Sequence, residues 1–227
     1  MRELYVFCEG PTEQGFCVQV LAPHLFPQCE GCIHPIKVAN GKRHGIVYRG
    51  GIFKYAPPKR DIQNTLKSRG ERNVYFTTLI DLYALPSEFP GRADHRRDPA
   101  NPTPYVLALE AAFGADIADL RFVPHLQLHE YETMLFADPD AFEFSFENCG
   151  PAITALKTVV ASVPSIEHIN DGPLTAPSKR VIDVLPAYGG RKSSAGPDIA
   201  ECIGIAAIRA KCPHFDQWLI TLEKLNW

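Results

Sequence analysis

The stretch Glu3-Leu4-Tyr5-Val6-Phe7-Cys8-Glu9-Gly10-Pro11-Thr12-Glu13 decides the fold of the chain. Its apolar and aromatic first half predicts a buried strand at about residues 3–8, and the Gly-Pro pair that follows ends it. Thr12 is then the predicted N-cap of a helix at about residues 12–25, where apolar residues recur at helical spacing. A buried strand followed at once by an amphipathic helix is the beginning of an α/β protein.

Two acids stand at the turn between this strand and this helix. Glu9 follows the strand directly, and Glu13 lies one turn into the helix. In open α/β sheets, ligands bind at the edge where the parallel strands end. Two carboxylates at that edge suit a hard cation such as Mg²⁺ better than a dry core.

Strands and helices alternate along the first part of the chain. Further strands are predicted at about residues 33–39, 74–80 and 122–128, and helices at about 58–68 and 104–114. Residues 40–57 are rich in glycine and predict a hairpin or loop, and residues 83–104 predict a long loop. Beyond Asp140 the pattern is helical, with helices predicted at about 152–163, 178–185, 199–211 and 215–225. The sequence thus predicts an α/β core over residues 1–140, with a mostly parallel sheet flanked by helices, and a helical C-terminal part over residues 141–227 that packs on it.

The composition is that of a globular protein without a membrane segment. The chain has 227 residues, of which 45% are hydrophobic and 22% charged. No apolar run approaches the roughly 20 residues that a membrane helix needs, so no membrane partner is predicted. Arg2 and Glu3 lead straight into a strand, unlike a signal peptide, and an odd count of seven cysteines favours reduced thiols. These features predict a cytoplasmic protein.

The net charge of −3 hides a marked asymmetry along the chain. Residues 37–72 contain ten Lys or Arg against two acids, a balance of +8, whereas the rest of the chain has a balance of −11. This basic lobe, residues 37–72, predicts contacts with nucleic acid, and the alternative is an ordinary solvated surface. The candidate phosphate-binding residues are Lys42, Arg43, Arg49 and Lys54 in the lobe, with Lys179 and Arg180 in the C-terminal part.

Acids follow three of the predicted strands. Glu9, Asp81 and the pair Glu130 and Glu132 would meet at one edge of a parallel sheet, because all parallel strands end there. Clustered carboxylates repel one another unless a proton or a cation relieves the repulsion. Taken singly, each acid is better explained by a structural role, such as a turn residue for Glu9 or a first-turn acid that matches the helix dipole for Glu13. Together with Glu13, they predict a site for Mg²⁺ or Mn²⁺, the ions that assist phosphoryl transfer.

Other residues are candidates for a functional role with less support from the sequence. Lys192 would stabilise the negative charge that develops on a phosphate, although a surface role is as consistent with its position. His129 is either a proton shuttle or a structural histidine. Cys29 and Cys32 have the spacing of half a zinc site, but no second such pair exists in the sequence. The sequence has no P-loop, so any use of ATP would require a partner protein.

The order of these motifs resembles the Toprim catalytic fold, which topoisomerases, primases and overcoming-lysogenization-defect nucleases share. The resemblance rests on Glu-Gly-Pro-Thr-Glu at 9–13, on Asp81 after an apolar strand, and on His-Glu-Tyr-Glu at 129–132. More narrowly, the chain is similar to small stand-alone bacterial Toprim-like proteins, which are often encoded beside an ATPase in defence-associated gene sets. This narrower similarity rests on residues 78–83, 88–91, 126–137, 176–180 and 212–215 with Trp218. One motif departs from the Toprim pattern, because Asp81-Leu82-Tyr83 stands where those enzymes usually carry Asp-x-Asp.

The resemblance implies a Mg²⁺-dependent nuclease that acts on DNA or RNA, as the effector of an ATPase-containing anti-phage defence system. Glu9, Asp81 and Glu130 are the catalytic residues that it implies, and Lys192 is added as a catalytic candidate because of its charge. Tyr83 in place of a carboxylate leaves open a non-catalytic module that binds a partner ATPase or nucleic acid. A metal-dependent phosphatase on a small substrate is a third alternative, which the charge asymmetry disfavours. A homodimer is also left open.

Overall fold

The computed structural model describes residues 1–27, 30–38, 42–43, 46–47, 52–83, 85–169, 172 and 174–226. Its strands are β1 Arg2–Cys8, β2 Gly31–Lys37, β3 Lys42–Arg43, β4 Ile46–Val47, β5 Val74–Asp81, β6 Phe122–Val123 and β7 Leu126–Gln127. Its α-helices are α1 Pro11–Phe16, α2 Ala22–Leu25, α3 Ala56–Ser68, α4 Thr103–Ile117, α5 Gly150–Ala161, α6 Pro177–Val184, α7 Pro186–Gly189, α8 Lys192–Ile203, α9 Ile205–Lys211 and α10 Pro213–Glu223. A π-helical segment, Cys17–Leu21, joins α1 to α2, and 3₁₀ helices span Tyr131–Ala137, Pro139–Phe144 and Ile166–His168.

A parallel sheet forms the centre of the molecule. Its strand order is β2-β1-β5-β6, and β7 pairs with β5 just beyond β6. β1 lies between β2 and β5, which explains why its side chains from Leu4 to Cys8 are all buried. The predicted fold class is confirmed, with a mostly parallel sheet flanked by helices and a helical C-terminal part.

Two apolar cores cover the two faces of this sheet. On one face, Leu4 and Val6 of β1 belong to the same cluster as Trp218 and Leu219 of α10. The C-terminal helices therefore bury their apolar residues against the sheet. On the other face, Phe7 of β1 packs with residues of α3 and α4. Alternating side chains of one strand thus supply both cores, as the pleat of a strand requires.

Two local predictions are corrected by the structure. The first helix begins at Pro11, with Gly10 rather than Thr12 at the N-cap. Proline is favoured at the first helical position because its missing N–H is not needed there, and the Glu13 side chain accepts the N–H of Gly10. The helix predicted at 199–211 is interrupted at Gly204, whose φ of 79° is incompatible with a continuous right-handed helix.

The strand predicted at 122–128 is present as two short pieces, β6 and β7. Pro124 and His125 separate them, and a proline has no N–H to donate to a neighbouring strand. The hairpin predicted within residues 40–57 is present as the antiparallel pair β3–β4. In the described part of the chain, no helix has both the length and the apolar character needed to cross a bilayer.

Candidate functional site

The carboxyl edge of the sheet gathers acids from three strands. Glu9 follows β1, Asp81 is the last residue of β5, and Glu130 comes three residues after β7. Because the strands are parallel, these three ends meet at one edge of the sheet. They surround a cavity of about 350 Å³, whose lining residues are Glu9, Thr12, Glu13, Ile52, Phe53, Asp81, Tyr83, Glu130, Glu132 and Lys192.

Glu9 and Asp81 are linked by the backbone between adjacent strands. The backbone N–H of Asp81 donates to Oε2 of Glu9 at 3.2 Å. Oδ1 of Asp81 in turn accepts the backbone N–H of Tyr131 at 2.9 Å. Both carboxylates are therefore held in fixed orientations at the wall of the cavity.

Glu130 and Glu132 reach the same cavity although they are not both in a strand. Glu130 has extended backbone angles, and its Oε2 accepts the backbone N–H of Ser178 at 2.8 Å. Glu132 lies in the first turn of the following 3₁₀ helix and is 4% exposed. The change from extended to helical backbone between these residues turns both side chains toward the cavity.

Lys192 provides a positive charge beside these acids. Its Nζ lies 2.9 Å from Oε1 of Glu132, and the hydroxyl of Tyr188 donates to the same oxygen at 3.2 Å. Although partial burial opposes it, the charge of Glu132 raises the pKa of Lys192 above its usual value. Lys192 is therefore a cation at neutral pH.

The acids of the cavity raise one another's pKa values. Burial, reinforced by the charge of Glu132, raises the pKa of Glu13 to about 7. The hydrogen bond that its carboxylate accepts from the backbone N–H of Gly10 opposes the shift. Burial and then the charges of Glu9 and the other acids raise the pKa of Asp81 well above its ordinary value. Burial and the charge of Glu132 also raise the pKa of Glu130. An added positive charge in this cavity would relieve both the repulsion and the loss of solvation.

Helix α8 reaches the cavity because it packs very closely on α1. A Cβ built on Gly15 of α1 would lie 2.5 Å from Cγ of Pro197, and one built on Gly196 would lie 2.9 Å from Cγ2 of Thr12. Only glycine permits such an approach at these two positions. The contact places Lys192, at the beginning of α8, beside acids that are more than 50 residues away in sequence.

A larger groove of about 790 Å³ adjoins the cavity. It shares Glu9, Thr12, Glu13 and Lys192 with the cavity and adds Gly10, Pro11, Lys37, Gly189, Gly190 and Ser193. Lys37 is the first residue of the basic lobe. The groove is therefore an open path, lined by two lysines, that leads to the acids.

The structure thus places five predicted metal ligands and Lys192 around one cavity. Of the predicted phosphate-binding residues, Lys54, Lys179 and Arg180 are not part of its described lining. Lys54 and Lys179 are exposed, and Nε of Arg180 donates to the carbonyl of Thr175 at 2.7 Å. Lys42 and Arg43 form β3, but their side chains, and the whole of Arg49, lie outside the described residues.

Two further predictions concern His129 and the cysteine pair. Nε2 of His129 lies 3.0 Å from the carbonyl oxygen of Glu167, and its Nδ1 lies 3.4 Å from Arg97. Its positive φ of 64° turns the chain between β7 and Glu130, a positioning role in the fold. Cys32 is an exposed free thiol, and Cys29 lies outside the described residues, so the zinc pair stays a prediction.

Two lining residues and one residue behind the lining were not predicted from the sequence. Ile52 and Phe53 come from the C-terminal end of the glycine-rich segment, and Tyr188 holds Glu132 from α7. Phe53 is 43% exposed in the structure. An aromatic residue within a basic segment is the sequence signal that could have pointed to it. Tyr188 carries no such signal, because its position depends on the packing of the C-terminal helices.

A comparison with protein families supplies an identity for the whole chain. The family model described as a domain of unknown function, DUF4276, matches residues 8–223. The chain belongs to this family. No curated protein and no solved structure matches the chain. Every acid that lines the cavity lies within the part of this chain that matches DUF4276.

The donor set of the cavity fits a hard divalent cation. All five acids offer carboxylate oxygens, which Mg²⁺ and Mn²⁺ prefer, and no thiol or imidazole belongs to the described lining. Mg²⁺ keeps several of its waters when it binds, and a cavity of about 350 Å³ has room for a hydrated ion. The pKa values of Glu13, Asp81 and Glu130 are raised by burial and by repulsion from neighbouring acids. A bound cation would relieve this repulsion.

Proposed function

We propose that the protein is a Mg²⁺- or Mn²⁺-dependent nuclease that cleaves phosphodiester bonds of DNA or RNA at this cavity. The observation that supports the proposal best is the meeting of five carboxylates and one lysine at the carboxyl edge of a parallel sheet. The carboxylates can bind a divalent metal ion, and the lysine can bind a phosphate group. The order of the acids along the chain, Glu9, Asp81 and then Glu130, agrees with the Toprim resemblance.

The side chains would divide the work as follows. When bound, the cation would stabilise the negative charge that develops on the phosphate and lower the pKa of a bound water. Asp81, with Glu130 or Glu132, would hold it, and Glu9 would act as a ligand or as a general acid or base. Lys192 would add a fixed positive charge beside the scissile phosphate.

The groove beside the cavity supports a polymeric substrate. Lys37 and Lys192 line it, and Phe53 at the rim of the cavity offers an aromatic face to a base. The basic lobe, residues 37–72, contributes Lys37, Ile52 and Phe53 to these two openings. A nucleic-acid backbone in the groove would reach the acids, whereas a small phosphate ester would leave most of the groove empty.

We further propose that the nuclease works in the cytoplasm as the effector of a partner ATPase in anti-phage defence. Support comes from the resemblance to ATPase-linked Toprim-like proteins and from the lack of a P-loop in the sequence. A non-catalytic role has one observation in its favour. Tyr83 lines the cavity where the Toprim pattern has a second carboxylate.

The decisive test is cleavage of labelled DNA, RNA and tRNA by the purified protein, with and without its partner ATPase, in Mg²⁺, Mn²⁺ or EDTA. Cleavage should require the metal, and Glu9→Gln and Asp81→Asn should each abolish it. Tyr83→Phe should retain much of it. Glu147→Gln, which changes an exposed acid outside the cavity, is the matched control and should leave cleavage intact.

Two results would decide against the nuclease. Cleavage that survives the combined Glu9→Gln and Asp81→Asn change would exclude chemistry at this cavity. An absence of cleavage in all conditions, with the partner present, would leave the non-catalytic module as the better explanation. A small chromogenic phosphate ester, tested in parallel, would identify a phosphatase.

A further inference from the structure

A second cluster of potential metal ligands lies away from the acidic cavity. Glu110 of α4, His125 between β6 and β7, and His214 at the start of α10 each offer one ligand atom, and these atoms lie within 4.8 Å of one another. The two histidines are 1% and 6% exposed. None of the three residues lines the acidic cavity.

The two distances from Glu110 to the histidines are close to the edges of a tetrahedral zinc site. Oε1 of Glu110 lies 3.4 Å from Nδ1 of His125 and 3.1 Å from Nε2 of His214. Ligands about 2.0 Å from a tetrahedral Zn²⁺ are about 3.3 Å apart. The imidazole rings are stacked, with centroids 4.9 Å apart and planes at 22°, so a shared ion requires a ring to turn until both nitrogens point at the ion.

The nitrogens of His125 lack the partners that a buried polar group normally has. Within the described part of the chain, neither Nδ1 nor Nε2 of His125 forms a hydrogen bond, and the contact of Nδ1 with Glu110 is too poorly aligned to be one. Leaving such a group buried and unpaired costs free energy. A metal ion would satisfy one of these nitrogens.

The charges of the cluster also fit a divalent cation. Burial would raise the pKa of Glu110, but its contacts with His125 and His214 outweigh burial and lower it to about 2. Burial lowers the pKa of His125. A divalent cation binds an ionised carboxylate and an imidazole nitrogen that carries no proton.

Neighbouring groups hold the three ligands in place. The backbone N–H of Leu126 donates to Oε1 of Glu110 at 2.8 Å, and the hydroxyl of Thr78 exchanges hydrogen bonds with the backbone of His125. The backbone N–H of His214 donates to the carboxylate of Glu167 at 3.0 Å. These contacts fix the backbone of the two histidines and the carboxylate of Glu110.

From this geometry we propose that Glu110, His125 and His214 bind one Zn²⁺ ion that fastens α10 and α4 to the sheet. A cavity of about 170 Å³ opens beside the three residues and is also lined by Gln217 and Thr221. It supplies the entry path and room for a water as the fourth ligand. The ion would connect parts of the chain that are about 90 residues apart, and the site is independent of the nuclease proposal.

The experiment uses the full chain after removal of metal with a chelator and dialysis. Titration with Co²⁺, a coloured substitute for Zn²⁺, should give visible ligand-field bands that saturate at one ion per chain, and Zn²⁺ should abolish them by competition. Glu110→Gln and His214→Phe, which preserve size and burial, should each weaken Co²⁺ binding by more than about 100-fold, since the loss of a mere outer-shell partner costs 10- to 100-fold. Circular dichroism would verify that each variant is folded.

Two variants serve as controls. His95→Ala removes an exposed histidine and should leave the Co²⁺ spectrum unchanged. Asp81→Asn, which damages the acidic cavity, should also leave it unchanged, so this site and the nuclease site can fail independently. The proposal is wrong if the wild-type protein binds no Co²⁺ or Zn²⁺, if folded Glu110→Gln and His214→Phe proteins bind as tightly as wild type, or if the spectrum depends on Asp81 instead.

Discussion

Glu13 should make the protein less stable as the pH rises, because the folded state holds its proton more tightly than the unfolded chain does. Burial and the charge of Glu132 raise the pKa of Glu13 from its ordinary 4.5 to about 7. Its contribution to stability is therefore complete below pH 4.5 and is lost as the pH rises through about 7. Each pKa unit corresponds to about 1.4 kcal/mol, so the loss amounts to about 3 kcal/mol.

Glu13→Gln should remove this loss. The glutamine cannot ionise, and its side-chain oxygen can still accept the N–H of Gly10, as Oε2 of Glu13 does at 2.7 Å. Urea denaturation between pH 4.5 and 8 in EDTA should show the free energy of unfolding of wild type falling by about 3 kcal/mol more than that of the variant. Part of the difference belongs to Asp81, since the acids titrate together and its pKa is raised by Glu13.

Glu147→Gln is the matched control, because it neutralises an exposed acid outside the cavity. Its stability should follow the wild-type curve across the whole range. At pH 8, Mn²⁺ should restore stability to wild type by compensating the ionised acids. If the curves of wild type and Glu13→Gln ran parallel from pH 4.5 to 8, the raised pKa of Glu13 and the electrostatic argument for a cation would both be refuted.

Three further changes test the site and its support. Millimolar Mn²⁺ should raise the melting temperature, because a ligand at 100 times its dissociation constant adds about 2.7 kcal/mol to the free energy of unfolding. Glu9→Gln should abolish this shift. A wild-type melting temperature that does not change with Mn²⁺ would contradict a metal site. Lys192→Met should lower the free energy of unfolding in urea by about 1–3 kcal/mol, because it leaves the buried carboxylate of Glu132 without its cation. Lys157→Met, which breaks an exposed ion pair, should lower it by only about 0.5 kcal/mol. Equal losses would show that Lys192 is an ordinary surface lysine. Gly15→Ala should lower the free energy of unfolding by about 1–3 kcal/mol, because the new Cβ would overlap the ring of Pro197 in α8. Gly70→Ala should be nearly neutral, because no atom lies within 4 Å of the position of its Cβ. Similar stabilities of the two variants would mean that α1 and α8 can separate without cost.

The sequence by itself determined the fold class and the location of the acids along the chain. Continuous apolar runs predict strands buried on both faces, and the helices between them require parallel connections. Parallel strands end at one edge, so the positions of Glu9 and Asp81 after two such runs were enough to predict that they face one cavity. This reasoning needs only the local pattern and a general rule of sheet geometry.

Only the tertiary structure decided which residues complete the site. Lys192 and Tyr188 reach Glu132 because α8 packs on α1 through Gly15 and Pro197, a contact between residues more than 180 positions apart. No periodicity encodes such a contact, since it depends on the shapes of two surfaces that meet after folding.

The Glu110, His125 and His214 cluster has the same origin. Its members come from a helix, a break between two short strands and the first turn of another helix, and none has a neighbour in sequence that signals a ligand. The break at Pro124 places His125 beside α4, and the packing of Trp218 on the sheet places His214 opposite it. Local sequence governs the backbone of each element, whereas the approach of distant side chains depends on the packing of the whole core.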